Sequence, residues 1–98
     1  MNTSDTNFIR EKVNLETSRI PWQQLQRFFA NGSTVFVAAD LDLVDVAYQF
    51  CIDNTTQVAQ WLENQQVAQV SEQQALRWFE EGAHLWAVVV EPWILVQE

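Results

Sequence analysis

A chain of 98 residues and 11.4 kDa, 48% hydrophobic and with only four Gly plus Pro, excludes multi-domain enzymes, solenoids and disordered or fibrous proteins. Five Lys plus Arg against thirteen Asp plus Glu give a formal net charge of -8. The asymmetry sharpens along the chain, since residues 1–27 carry +1 and the remainder -9, with Arg77 as its only cation; nucleic acid and anionic membranes, both recognised mainly through Lys and Arg, are not expected partners.

Residues 1–7 are polar and expected to fray, after which Phe8, Ile9, Val13 and Leu15 predict a first helix to about Thr17. Pro21 suits the first turn of a second helix, where Trp22, Leu25, Phe28 and Phe29 recur at helical spacing and Asn31-Gly32 supplies the stop. Thr34 to Ala38, β-branched and aromatic, predicts a short buried strand. Asp40 is positioned to cap a third helix whose stripe is Leu43, Val46, Ala47 and Phe50, widened by Val44 and Cys51. Thr55 or Thr56 would cap a fourth helix carrying Val58, Trp61 and Leu62. Val67 to Val70 predicts a brief strand, and Ser71 with Gln74 forms a capping box for a fifth helix closed by Gly82. Leu85 to Val90 and then Trp93 to Val96 are apolar at odd and even positions alike, the pattern of central strands covered on both faces. Glu91-Pro92 between them lacks positive-φ residues, which predicts a proline bulge or a wider turn. The sum is an α+β domain over 1–98, four or five short helices on a sheet of three or four strands, with a winged-helix-like order in its centre.

The stretch Val35 to Val44 sets D-x-D-x-V after an apolar strand and resembles the first motif of haloacid-dehalogenase-type phosphatases, where the first Asp attacks phosphorus, the second acts as acid and base, and both lie near Mg²⁺. The rest of that machinery is missing: the chain is short, Lys12 is its only lysine and no paired-acid segment follows a later strand. Asp40, Asp42 and Asp45 are therefore expected to serve a helix N-terminus, with neither metal nor cofactor called for. His84 and Cys51 invite a thiol–imidazole dyad, but Cys51 falls on an apolar stripe where a buried thiol is inert, and a lone cysteine excludes an intrachain disulfide and a cysteine-based zinc cluster. Ser33 and Ser71 lack a glycine-flanked elbow. The helix expected near Thr55 to Gln66, in the DNA-reading position of a winged helix, presents Gln57, Gln60, Glu63 and Asn64 without a cation to hold phosphates.

Five tryptophans, Trp22, Trp61, Trp78, Trp86 and Trp93, are more than a small core encloses easily. Most are expected in the core; Trp22 beside Pro21 and Trp93 beside Pro92, which each begin an element, are the two that stand between core and a part-exposed protein interface. Twelve Gln add uncharged hydrogen-bonding surface.

The segments Ile20-Pro21-Trp22-x-x-Leu25-Gln26-x-Phe28-Phe29-Ala30-x-Gly32, Leu41-Asp42-Leu43-Val44-x-Val46-Ala47, Trp61-Leu62 and Trp86-Ala87-Val88-Val89-Val90-x-Pro92-Trp93-x-Leu95-Val96-Gln97-Glu98 make the chain, over about residues 16–98, resemble the domain-of-unknown-function family 2288. The resemblance implies a small bacterial, cytoplasmic domain; it brings no activity, cofactor or partner and assigns no residue a role. The longest apolar run, Leu85 to Val90, is far below the eighteen or so residues of a membrane span, which agrees with a soluble protein.

The residues thus point to a non-enzymatic module that self-associates or docks on a protein partner through an aromatic surface at Trp22, Pro92 and Trp93, or through an unpaired strand edge. The rival readings are a Mg²⁺-assisted phosphate-ester hydrolase using Asp40 and Asp42, a winged-helix-like regulator, and an acidic surface that imitates a polyanion.

Overall fold

The computed structural model describes residues 3–98, with side chains from residue 8 onward. Among them the chain forms α1 (Thr3–Glu16), β1 (Ser18–Pro21), α2 (Trp22–Ala30), β2 (Thr34–Val37), α3 (Leu43–Cys51), α4 (Thr55–Glu63), β3 (Val67–Gln69), α5 (Glu72–Glu81), β4 (His84–Val90) and β5 (Trp93–Gln97). The strands make one sheet in the order β1-β4-β5-β2-β3, antiparallel except for the parallel pair β2 and β5. The α+β class holds, with five strands in place of three or four. The central α2-β2-α3-α4-β3 order follows the winged-helix succession along the chain, but β5 lies beside β2 in a mixed sheet.

Alternation along the strands divides the core in two. Val35 and Val37, Val88 and Val90, and Leu95 face one way and are covered by Val13 of α1, by Leu43, Val46 and Ala47 of α3, and by Trp61 of α4. Leu85 and Ala87, and Ile94 and Val96, face the other way under Trp22 and Leu25 of α2 and Ala75 and Trp78 of α5. β5 is buried on both faces, as its sequence predicts. β4 is not: Val89 is exposed beyond the end of β1, which pairs no further along β4 than Ala87, and Trp86, although paired with Arg19, is exposed with that guanidinium 5.7 Å from the centre of its ring.

β1 is an element the hydrophobic pattern does not announce. Ile20 is its single nonpolar residue besides Pro21, and the segment is extended because it pairs with His84 to Ala87. That pairing makes Pro21 the last strand residue and the N-cap position of α2, just before its first turn. α1 begins at Thr3, before the Phe8 start the pattern suggests, since no Gly or Pro interrupts those residues; the fraying expected at Met1 and Asn2 falls outside the described residues. Arg10 ties α1 to α3, with Nη2 donating to Asp45 Oδ1 at 2.9 Å and the guanidinium 4.3 Å from the centre of the Tyr48 ring.

Two helix caps differ from expectation by a short slip. Leu41 N–H donates to Ala38 O at 3.1 Å, closing a turn through Asp40, so α3 starts later and Asp42 caps it by accepting from Val44 N–H at 2.9 Å. Asn54, not Thr55 or Thr56, caps α4, accepting from Gln57 N–H at 3.2 Å. The Ser71–Gln74 capping box forms on both sides, and Gly82 ends α5 at φ 62°. β4 and β5 join by a two-residue turn with a cis Glu91–Pro92 peptide, closed by the pair Val90 and Trp93. This arrangement replaces the expected bulge or wider turn and needs no positive φ.

Candidate interaction groove

The aspartates at the end of β2 are committed to structure. Asp42 caps α3, Asp45 pairs with Arg10, and Asp40 accepts from Gln66 Nε2 at 3.3 Å. Gln97 Nε2 fastens the loop by donating to Ala38 O at 2.8 Å and Leu41 O at 2.7 Å. Among the described residues no three His, Cys, Asp or Glu side chains converge as a metal centre requires.

The sequence pattern places Cys51 on the apolar stripe of α3, whereas the structure leaves it exposed at the last turn of that helix. Partial burial of the thiol pushes its pKa up, the Glu16 carboxylate adds to the rise and Lys12 opposes it. His84 is not among these neighbours; it starts β4 opposite Pro21. Cys51 and His84 therefore do not form the activated thiol that nucleophilic catalysis needs.

Trp22, one of the two tryptophans that the sequence leaves between core and interface, is 1% exposed. Its main-chain N–H donates to Ala83 O at 2.9 Å, which pins the start of α2 to the residue before β4. Its ring meets Trp78 edge to face, with centroids 5.1 Å apart, and Phe29 at 5.8 Å. Among the described residues neither indole N–H, of Trp22 or of Trp78, meets a hydrogen-bond partner, and both rings are 1% exposed, so the cluster packs inside the core.

Pro92 and Trp93 have a different setting, because they lie at the β4–β5 turn and Trp93 packs against the cluster on the opposite face of the sheet from Trp22. Pro92 is exposed and Trp93 half-buried. Together with Phe50, Val58, Leu62 and Val90 they line a groove of about 430 Å³ between the turn and the start of α4. Leu62, 52% exposed, forms part of its wall. Asp53 and Glu91 bring two carboxylates to the lining and no cation accompanies them.

The groove is shaped before anything enters it. Asp53 holds φ 58° between α3 and α4, and Thr55 N–H donates to its carbonyl at 2.9 Å. Asn54 N–H donates to Gln49 O at 3.0 Å, and Asn54 Nδ2 to Gln49 Oε1 at 2.8 Å. A fixed corner of this kind presents apolar surface without the entropy loss of ordering a loop on binding. The sequence reading reached Pro92 and Trp93 but not Phe50, Val58 or Leu62. The available signal was the width of the apolar stripe on α4, of which the helix buries only Trp61.

The groove offers nonpolar contact and negative charge. No helix of the described chain is long and apolar enough to cross a membrane. No curated protein matches the sequence. The NMR solution structure of PA1075 from Pseudomonas aeruginosa is similar over 100% of this chain and 91% of that one, at 41% identity and a TM-score of 0.81. A family profile described as "Protein of unknown function (DUF2288)" matches residues 8–98, nearly the whole length, and the chain therefore belongs to that family.

Proposed function

We propose that the protein is a non-enzymatic interaction module whose groove at the β4–β5 turn receives a segment of a partner protein. The occupant is an amphipathic segment that inserts an apolar side chain between Trp93, Pro92 and Leu62 and sets Lys or Arg beside Asp53 and Glu91. The carrying observation is the composition of the groove, aromatic and aliphatic walls with two carboxylates and no cation in the lining. Buried aromatic anchors supply most of the energy in such contacts, while charges at the rim select the partner and speed encounter. Trp22 has no part in this surface, since it lies within the core.

A photo-crosslinking amino acid placed at Leu62, with Gln73 on α5 as the control position, tests the reading in cells of the source organism. The expected result is one discrete adduct from position 62, mapped to a partner segment with a basic residue next to an apolar one and reduced severalfold by Glu91→Lys. Equal labelling from both positions, or an adduct indifferent to Glu91→Lys, would refute it.

A further inference from the structure

The outer edges of the sheet, β1 and β3, are finished differently. Hydrogen-bonding positions recur at every second residue of an antiparallel ladder, so the bond from Trp22 N–H to Ala83 O turns Ile20 and Ser18 of β1 toward β4. The outward places of β1 fall to Arg19 and Pro21, a charge and a residue without an N–H, and both discourage a further strand. At the opposite edge Ala38 N–H donates to Gln66 O and Val70 N–H to Thr34 O, so Gln66, Ala68 and Val70 face β2. Val67 and Gln69 turn their N–H and C=O groups outward, and among the described residues no main-chain hydrogen bond reaches them there. Residues 64–71 carry no charge. The β3 edge is thus open and lacks both guards of the β1 edge.

The helices on either side of β3 in the chain pack on opposite faces of the sheet. α4 packs beneath Val67 through Trp61, and its Val58 and Leu62 reach inward to the groove beside Trp93, so that helix lies under the sheet. α5 covers the other face, where Trp78 meets Phe36 with ring centroids 6.1 Å apart. Ala68 pairs directly with Phe36 and therefore points to the α5 face. Both residues are only half-buried, which leaves a nonpolar strip running out to the edge.

We propose that the protein self-associates by pairing β3 with β3 of a second copy, antiparallel and two-fold symmetric about Ala68, so that one sheet runs through both copies. Val67 of each copy then lies opposite Gln69 of the other, and each such pair exchanges two main-chain hydrogen bonds, which uses every open group of this edge. Ala68 meets Ala68 on the axis, at the non-hydrogen-bonded place where side chains come closest and a methyl group fits. The neighbouring registers fail. Centring on Val67 sets Gln69 opposite Gln65, which holds φ 61° and donates its N–H to Leu62 O. Centring on Gln69 sets Val67 opposite Ser71, whose N–H is bonded to Gln74 Oε1 and whose carbonyl accepts from Ala75 N–H. A foreign strand of about 5–6 residues would overrun these same two positions, whereas a second copy brings an edge of matching length. The axis stands perpendicular to the sheet, so at each end of the pair one chain departs toward α4 on one face and the other toward α5 on the opposite face, and the two do not collide. Copies that each carry a net charge of -8 meet here along uncharged residues. Strands this short bury little area, so the dimer is weak, with a dissociation constant on the order of 1 mM.

Translational diffusion and ¹⁵N spectra of the full chain, recorded from about 0.05 to about 3 mM protein, test the proposal. The expected result is an apparent mass rising from 11.4 kDa toward twice that value, with concentration-dependent amide shifts centred on Val67, Ala68 and Gln69. Gln69→Pro removes an outward N–H and leaves the bonds from β3 to β2 in place, and it should weaken association at least about tenfold. Gln69→Ala gives up the same side-chain bond to Gly32 O but keeps the N–H, and should associate like the unaltered chain. If Gln69→Pro does not fold, the shifts of the unaltered chain decide alone. Because the copies repel one another, raising salt from about 0.01 to about 0.15 M should tighten the dimer severalfold. A mass that stays at 11.4 kDa throughout, equal association of the two variants, weakening with salt, or shifts centred on Trp93 and Leu62 would overturn the proposal. The last outcome would place self-association in the groove at the turn, whereas a chain that stays monomeric leaves the reading of that groove standing.

Discussion

Asp40 and Asp42 show how closely a side chain's role depends on where a turn closes. Both carboxylates follow the same strand and both could precede the helix, but only Asp42 bonds to a free helical N–H. Asp42→Ala is expected to lower stability by about 1 kcal/mol, the usual cost of losing an N-cap. Asp40→Ala loses one exposed bond to Gln66 and should change stability by no more than about 0.5 kcal/mol. Urea unfolding of the two variants checks the order, and a larger loss for Asp40→Ala would mean that the cap has been assigned to the wrong residue. The sequence held both acids without showing the Leu41-to-Ala38 bond that separates them. The burial of Trp22 has a similar cause. Its local context is that of an element's first residue, and only its distant partner Ala83 reveals that this element starts inside the core.

The elements legible in advance are those whose determinants are local. α5 carries its own start in Ser71 and Gln74 and its own stop in Gly82, and all three act as the sequence indicates. Ser71→Ala removes the side chain that accepts from Gln74 N–H, and is expected to cost about 1 kcal/mol while speeding amide exchange in the first turn of α5. Slower exchange there, or none of the expected loss, would show that the box contributes nothing beyond the packing of Ala75 and Trp78. β1 is the contrary case, because its extended form comes from pairing with β4, about 65 residues away along the chain. Both proposed docking places share that dependence. The groove needs α4 brought beside the β4–β5 turn, and the open edge exists only because β3 is last in the sheet and pairs with β2 alone. Pro92 and Trp93 could be singled out as an unusual dipeptide, whereas nothing local to Val67, Ala68 and Gln69 shows that their strand ends a sheet.

At the scale of the whole molecule the charge acts on stability as well as on partner choice. The net charge of -8 is distributed over a body measuring 45 × 28 × 24 Å. Among the described residues only two ion pairs form, Arg10 with Asp45 and Arg77 with Glu98, and their side chains remain 38–51% exposed. Such pairs return little stability, so repulsion among the remaining carboxylates is poorly offset locally. At about 0.01 M salt the screening length is roughly 30 Å, comparable to the molecule, and at about 0.15 M it falls to roughly 8 Å. Unfolding moves the carboxylates apart, so repulsion favours the unfolded chain and screening favours the folded one. Thermal unfolding near neutral pH is therefore expected to shift upward between those two salt concentrations, and relief on the order of 1 kcal/mol corresponds to about 4–8 °C for a domain of this size. A midpoint that falls with added NaCl would show that the two pairs outweigh the repulsion, and that the acidic surface is balanced internally instead of being left open to a basic partner.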